Sequence, residues 1–424
     1  MIKRLFVFLI FSTSLISAQV DYSDSWEDFF SYNNVKDFIK SENIMYALSD
    51  NAIFTYDFTT QEIKKLSSVQ GLSGETTSAI HYSTQSDRLV IGYKNGLVEV
   101  VDSDGSITIS ADILNFNQTG EKSINDIFEY QGKLYLATSF AIIEYDIDQL
   151  EFGDTFFIGN NSTDVKINEI VVFDDFIYAA TERGIYTADI NNANLIDFNN
   201  WNLISSVNNN YTNIIIFNSK IYTTLNKKLY EVTETNEIVL IEDYSSPIVS
   251  LKGSSTNLSV VLNSSVNIYS TNFDLVLQNN ADINFDYILN TAFAENNQLF
   301  LATKQFGILS SLISDDIIFQ EIHPEGPVSN DVFSVTAKNN QLWVVYGGYT
   351  PTMAPIQPKL GYSHYNGENW FTEENDLDNS FPGFVDVTLD PNNENKAFIS
   401  SFGSTNQINT YQTGGLFVIE NDEI

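Results

Sequence analysis

A chain that performs chemistry must supply nucleophiles, proton carriers or metal ligands, and this one offers few. It has no cysteine, which removes disulfides, thiolate metal sites and cysteine nucleophiles together. Its three histidines, His81, His323 and His364, fall in different repeats of the pattern described below, so no histidine metal cluster is expected. No G-x-S-x-G elbow, phosphate-binding loop, dinucleotide fingerprint or kinase signature occurs. The run Asp102-Ser103-Asp104-Gly105 opens like a calcium loop but lacks the later ligands, including the bidentate glutamate, and reads as a hairpin turn. Adjacent acids at Asp174-Asp175 and Asp315-Asp316 lie between apolar bursts, where aspartate favours turns. A glycosidase or lyase pair needs two carboxylates converging on one face, and none of the many loop acids singles itself out. The expectation is no catalytic residue, no metal and no cofactor, with ligand-binding residues unassigned.

Composition narrows the partners instead. The 424 residues carry 20 basic and 55 acidic side chains, a formal charge of −35, so nucleic acid, which needs a basic stripe, is set aside. The acids suit solubility on turns and outward strand faces, and a divalent-cation role stands as the other reading. With 43% hydrophobic and 13% aromatic residues, a large core is available. Residues 1–18 read as a signal peptide: Lys3 and Arg4 head an apolar run from Leu5 to Phe11, and Ser17-Ala18 precede Gln19. No later stretch is long enough for a transmembrane helix, so an exported protein is expected.

The scaffold shows itself as a repeat. Bursts such as "NIMYALSDNAIFTYD" at Asn43, "DRLVIGYKNGLVEVVD" at Asp87 and "GKLYLATSFAIIEYD" at Gly132 recur along the chain. Their centres are Tyr46, Val90, Tyr135, Tyr178, Tyr222, Ser259, Phe300 and Trp343, spaced 37 to 45 residues apart. That spacing is close to the roughly 40–45 residues of a four-stranded propeller blade. Within bursts the apolar residues alternate at period two and favour Ile, Val, Tyr and Phe, which marks strands. An inner strand precedes each burst ("SINDIFEY" at Ser123, "KINEIVVF" at Lys166), a third strand follows, and a weaker outer strand closes the unit, as in "WNLISSV" at Trp201. Short Asn-, Asp-, Gly- or Gln-bearing turns join them. "GLSG" at Gly71 is the crossover from one blade to the next.

The predicted fold is therefore all-β: a seven-bladed propeller over residues 19–327, followed over 328–424 by the first blades of an incomplete second propeller. A single eight-bladed ring is the alternative. The segment "DYSDSWEDFFSY" at Asp21 resembles an extra outer strand, either locking a ring or belonging to a second one. Tyr46, Tyr135, Tyr178 and Tyr222 recur at blade register and are expected to pack between blades. Trp26, Trp201 and Trp370 are placed on outer strands and Trp343 on a second strand. A long loop, Gly347 to Gly361, carries Pro351, Pro355 and Pro358 and reads equally as a binding element or as packing between rings.

The unit "GLSGETTSAIHY…RLVIGYKNGLVEVVD" resembles the two-component-regulator propeller repeat, common in periplasmic sensors of Bacteroidetes. From about Ser25 onward, "SWEDFFSYNNVKDF", "LSDNAIFTYD", "KLSSVQGLSGETTSAI", "DGSITISADILNFNQTGEKSIN" and "LEFGDTFFIGN" are similar to the PorZ family, the β-propeller component of the type IX secretion system. The resemblance implies a non-enzymatic protein of the periplasm or cell surface. In that family two seven-bladed propellers and a C-terminal domain work with the PorU sortase, presenting anionic lipopolysaccharide for attachment to cargo. Most of the second propeller and the C-terminal domain find no counterpart here, and an acidic ring repels an anionic glycan unless cations bridge them. A periplasmic sensor propeller of a hybrid two-component regulator is the alternative, and a carbohydrate-active propeller enzyme a third reading.

Overall fold

The computed structural model describes residues 26–205, 208–314, 316–352, 360–373, 383–393, 396–401 and 415–421. The signal-peptide reading at 1–18 and Asp315 fall outside these residues, as do Pro355 and Pro358 of the 347–361 loop. Among the described residues nine antiparallel sheets follow one another in sequence. Eight have four strands each and span residues 37–66, 77–110, 124–156, 167–203, 211–243, 248–280, 289–322 and 334–373. The ninth has three, Phe384–Leu389, Lys396–Ser401 and Leu416–Glu420. Each sheet is a simple meander with neighbouring strands adjacent in sequence. We number them blades 1 to 9. The period-two bursts thus form the strands they were expected to form. Among the described residues helix is reduced to two short turns, Asp112–Asn115 and Phe198–Asn200, and no helix is long and apolar enough to cross a membrane.

The first strands of consecutive blades touch one another and surround the axis of the ring. Second and third strands carry the core. In blade 3, Lys133–Thr138 and Ile142–Asp146 are almost wholly buried, whereas the outer strand Glu151–Phe156 is largely exposed. One blade cannot cover its own faces, so the apolar clusters form between blades. One unites Val90, Val98 and Val100 of blade 2 with Leu134, Leu136 and Ile143 of blade 3.

Seven blades close the ring. Phe38, Met45 and Phe54 of blade 1 share a cluster with Phe300, Ala302 and Ile308 of blade 7. Backbone bonds stitch the seam, with Val35 N–H donating to Thr303 O (2.9 Å) and Gly307 N–H to Asn33 O (2.8 Å). Blades 8 and 9 pack on each other through Trp343, Val345, Tyr362, Phe384 and Ile399, the beginning of a second set of blades. The two sets meet along residues 28–33: Phe29 lies 5.2 Å from Tyr365 and 5.7 Å from Trp370, and Ser31 N–H donates to Asn330 Oδ1 at 2.7 Å.

The expected turns are explained by backbone geometry. Gln131-Gly132, Asp174-Asp175, Asn218-Ser219, Asn296-Asn297 and Asn339-Asn340 each hold two successive residues at positive φ. That is the two-residue hairpin turn whose twist matches that of the strands. Asp174-Asp175 is therefore a turn, as expected. Gly71 (φ 112°) and Gly74 (φ 74°) turn the chain from blade 1 into blade 2 in a conformation that side chains resist.

Two expectations are corrected. Of the segment 21–32, read as an extra outer strand, residues 21–25 lie outside the described residues and residues 26–32 form no strand; side chains fix them. Asp28 is buried, accepts from Ser67 Oγ (2.6 Å) and Tyr32 Oη (3.1 Å), and lies 3.6 Å from Lys65 Nζ. Trp26 is accordingly not on an outer strand, and it is exposed. The outer strand read at Trp201 shrinks to Asn202–Leu203, because the Trp201 indole turns inward and donates to Leu195 O at 2.9 Å.

Candidate functional site at the channel mouth

The residues singled out for chemistry do not converge. His81, on the first strand of blade 2, meets Glu129 of blade 3 (Nε2 to Oε2, 2.8 Å), and Ser83 Oγ donates to the other oxygen of that carboxylate at 2.9 Å. Those bonds, His81 first, hold the Glu129 carboxyl below the ordinary glutamate range. His323 contacts its neighbour Pro324 O at 2.9 Å. His364 is buried with its ring stacked on Trp343, centroids 3.9 Å apart. The Asp102–Gly105 run is a hairpin turn: Gly105 N–H donates to Asp102 O and the Asp102 carboxylate accepts from Arg88 Nε at 2.7 Å. No three His, Asp or Glu side chains among the described residues gather as a metal would require.

The aromatic series behaves as packing. Tyr135, Tyr178 and Tyr222 are buried, and Tyr46 stacks on Tyr82 of the next blade at 4.8 Å. Burial raises the phenol of each of these tyrosines, which removes them as bases near neutrality. Trp343 lies on the second strand of blade 8 and Trp370 on its fourth, as read. At the start of the 347–361 loop, Gly347 lies against blade 9: its N–H donates to Phe384 O at 2.6 Å, and a β-carbon there would fall 2.0 Å from that oxygen.

What the sequence reading missed is a polar arc at one mouth of the channel. In blades 2 to 7 the pairing register slips once near the start of the first strand, between Thr77 and Ala79, Ile124 and Asp126, Ile167 and Glu169, Tyr211 and Ile214, Ile248 and Ser250, Leu289 and Thr291. Such a bulge frees one residue from the ladder and re-aims its neighbours. The freed asparagines reach sideways to the next blade. Asn125 Nδ2 donates to Ile167 O (2.7 Å), Asn168 to Tyr211 O (2.7 Å) and Asn290 to Val35 O (2.8 Å). The following residue returns an acceptor. Asp126 Oδ2 takes the Ile170 N–H at 3.1 Å, and Glu169 Oε2 takes the Ile214 N–H at 2.8 Å. Blades 3, 4 and 5 are thus bonded in series by the pairs Asn125-Asp126 and Asn168-Glu169.

These carboxyls face a cavity of about 470 Å³ whose wall also includes Asp37, Asn213, Ser250 and Lys252. Crowded out of bulk water, Asp126 is pushed up to about 6. Glu169 is likewise held well above the ordinary range, first by desolvation and then by the neighbouring Asp126 charge. The legible signal was the dipeptides "ND" and "NE" in otherwise apolar inner strands.

Comparisons with known proteins agree with this architecture. Residues 45–202 match the family model of the type IX secretion PorZ N-terminal β-propeller domain. The structure is similar to that of PorZ, an essential bacterial surface component of the type IX secretion system of Porphyromonas gingivalis, with a TM-score of 0.76 at 17% identity. The match covers 94% of this chain and 52% of that one, so the chain spans about half its length. The extracellular domain of a hybrid two-component system of B. thetaiotaomicron follows at 0.51 and 14% identity, covering 93% of this chain and 58% of that one. Raptor of Chaetomium thermophilum, at 0.54 and 12%, shares the propeller fold over 68% of this chain and 29% of its own. No curated protein sequence matches. The sequence resemblance to PorZ is thus supported by a family model and by the fold.

Proposed function

We propose that this protein is an exported, non-enzymatic β-propeller scaffold of the type IX secretion system. In this reading it acts at the periplasmic or outer face of the outer membrane with the PorU sortase, in attaching cargo to anionic lipopolysaccharide. The observation that carries the reading is the coincidence of the PorZ family match at residues 45–202 with a likeness to PorZ across 94% of the chain. A propeller offers wide, rigid faces set by many small blade contacts, which suits holding proteins together more than bond making. The charge of −35 argues that this part of the molecule works through protein contact, leaving the anionic glycan to cation bridges or other surfaces.

Deleting the gene tests the reading. Loss of the scaffold should leave cargo proteins unprocessed and lacking lipopolysaccharide, and a plasmid copy should restore both. Normal processing and attachment in the deletion strain would refute it. The sensor reading has one favouring observation, the 0.51 match to a hybrid two-component extracellular domain. It expects the deletion to silence a transcriptional response and spare cargo attachment.

A further inference from the structure

At the channel mouth, charges are unequally served. Lys36 Nζ spends its donors on Asp50 O (3.2 Å), Thr77 O (2.9 Å) and Thr77 Oγ1 (3.3 Å), with Asp50 Oδ1 at 3.4 Å. Lys252 Nζ is engaged by Phe38 O at 2.8 Å and Asp37 Oδ1 at 2.6 Å. Both cations that line the cavity are therefore already engaged, Lys252 by the cavity's own Asp37. Asp126 and Glu169, on adjacent blades, have no ion-pair partner among the described residues, and their bonds to Ile170 and Ile214 each use a single oxygen.

A second observation, independent of the acids, points the same way. Asn213, at the corresponding strand position in blade 5, lines the cavity and is only 3% exposed. Its Nδ2 donates to Thr212 Oγ1 (3.0 Å) and Thr224 Oγ1 (2.8 Å). Its Oδ1 has no donor among the described residues and can accept one. Blades 3, 4 and 5 therefore present acceptors side by side: carboxyl, carboxyl, amide oxygen.

We propose that the channel mouth binds an alkylammonium or guanidinium group, held by Asp126, Glu169 and Asn213. Such a group supplies N–H donors to the second oxygen of each carboxyl and to the amide oxygen, and its charge offsets the two carboxylates. The raised proton affinity of both carboxyls fits, since without a cation the pair lowers its repulsion by holding a proton. About 470 Å³ admits a small diamine or one basic side chain offered by a partner protein, and the overall charge of −35 draws either one in.

Calorimetric titration of the whole chain tests this with two probes, putrescine as a free amine and tetralysine as a stand-in for a protein side chain. The charged groups bearing on the site are Asp37, Lys36 and Lys252, with His81 acting on Asp126 from blade 2. Binding should release protons in mildly acidic buffer and tighten from about pH 5 to about pH 8, as the carboxyls ionise. The paired substitutions Asp126→Asn and Glu169→Gln retain the acceptors for Ile170 and Ile214. They should weaken binding roughly tenfold to a hundredfold, the worth of a charge-assisted hydrogen bond. Binding of putrescine with that dependence identifies a free-amine site, and binding of tetralysine alone identifies a partner side chain. Equal affinity in parent and variant would assign the effect to the general acidic surface and overturn the proposal. So would affinity in the parent that does not change with pH, a measurement independent of the variant's folding.

Discussion

Closure between blades 7 and 1 is the contact on which the ring depends, and Phe300 tests it. This side chain is fully buried on the second strand of blade 7, with edge-on partners at Phe38 (6.4 Å) and Phe58 (5.4 Å) from blade 1. Truncating a buried phenylalanine to alanine costs about 3–5 kcal/mol. Each aromatic pair adds roughly 0.5–1.5 kcal/mol beyond area, so Phe300→Ala should fall near the top of that range. Other buried residues would give a similar cost, so the discriminating quantity is coupling. In a closed ring Phe38→Ala and Phe300→Ala remove the same contact, and a double-mutant cycle should return about 0.5–3 kcal/mol of interaction. Chemical denaturation followed by tryptophan fluorescence and by circular dichroism supplies the four stabilities, provided both probes give one transition. Costs that add to within about 0.5 kcal/mol would mean the two residues do not touch in solution. The closed-ring argument would then fail.

Three further outcomes follow from the geometry. The Glu129 carboxyl is depressed by its bonds to His81 and Ser83, so its stabilising contribution is present above the unfolded glutamate value and lost as pH falls through the lower folded one; His81→Ala should make acid unfolding set in at a higher pH, read by fluorescence across a pH series. Glu169 is raised, so its folded form is favoured at low pH and loses stability as pH rises; Glu169→Gln should match the parent in acid and exceed it in melting temperature above neutrality. Gly347→Ala would place a β-carbon 2.0 Å from Phe384 O, and should cost about 2 kcal/mol or more at the contact of blades 8 and 9; limited proteolysis should then cut there first and leave blades 1 to 7 intact.

Strands and turns were legible because they are set by local rules. Period-two bursts and two-residue turns such as Gln131-Gly132 and Asn296-Asn297 are written within a few adjacent residues, so counting them returns the blades. The segment around Asp28 was misread for the complementary reason. Its acidic and aromatic residues look like an alternating strand, yet they are held by Ser67 and Tyr32 side chains whose position depends on the finished fold. The channel arc is harder still to see from sequence. Local sequence shows only that Asp126 and Glu169 each follow an asparagine inside an apolar inner strand. A bulge sets them apart, and the bulge shows only when two strands are laid in register. It turns an asparagine toward the next blade's carbonyl and its neighbour toward that blade's amide, so the same two residues join the blades and face the channel. The bonds that hold blades 3, 4 and 5 side by side therefore also set the spacing of the acceptors at the mouth, and a substitution that loosened the ring there would be expected to blunt cation binding with it.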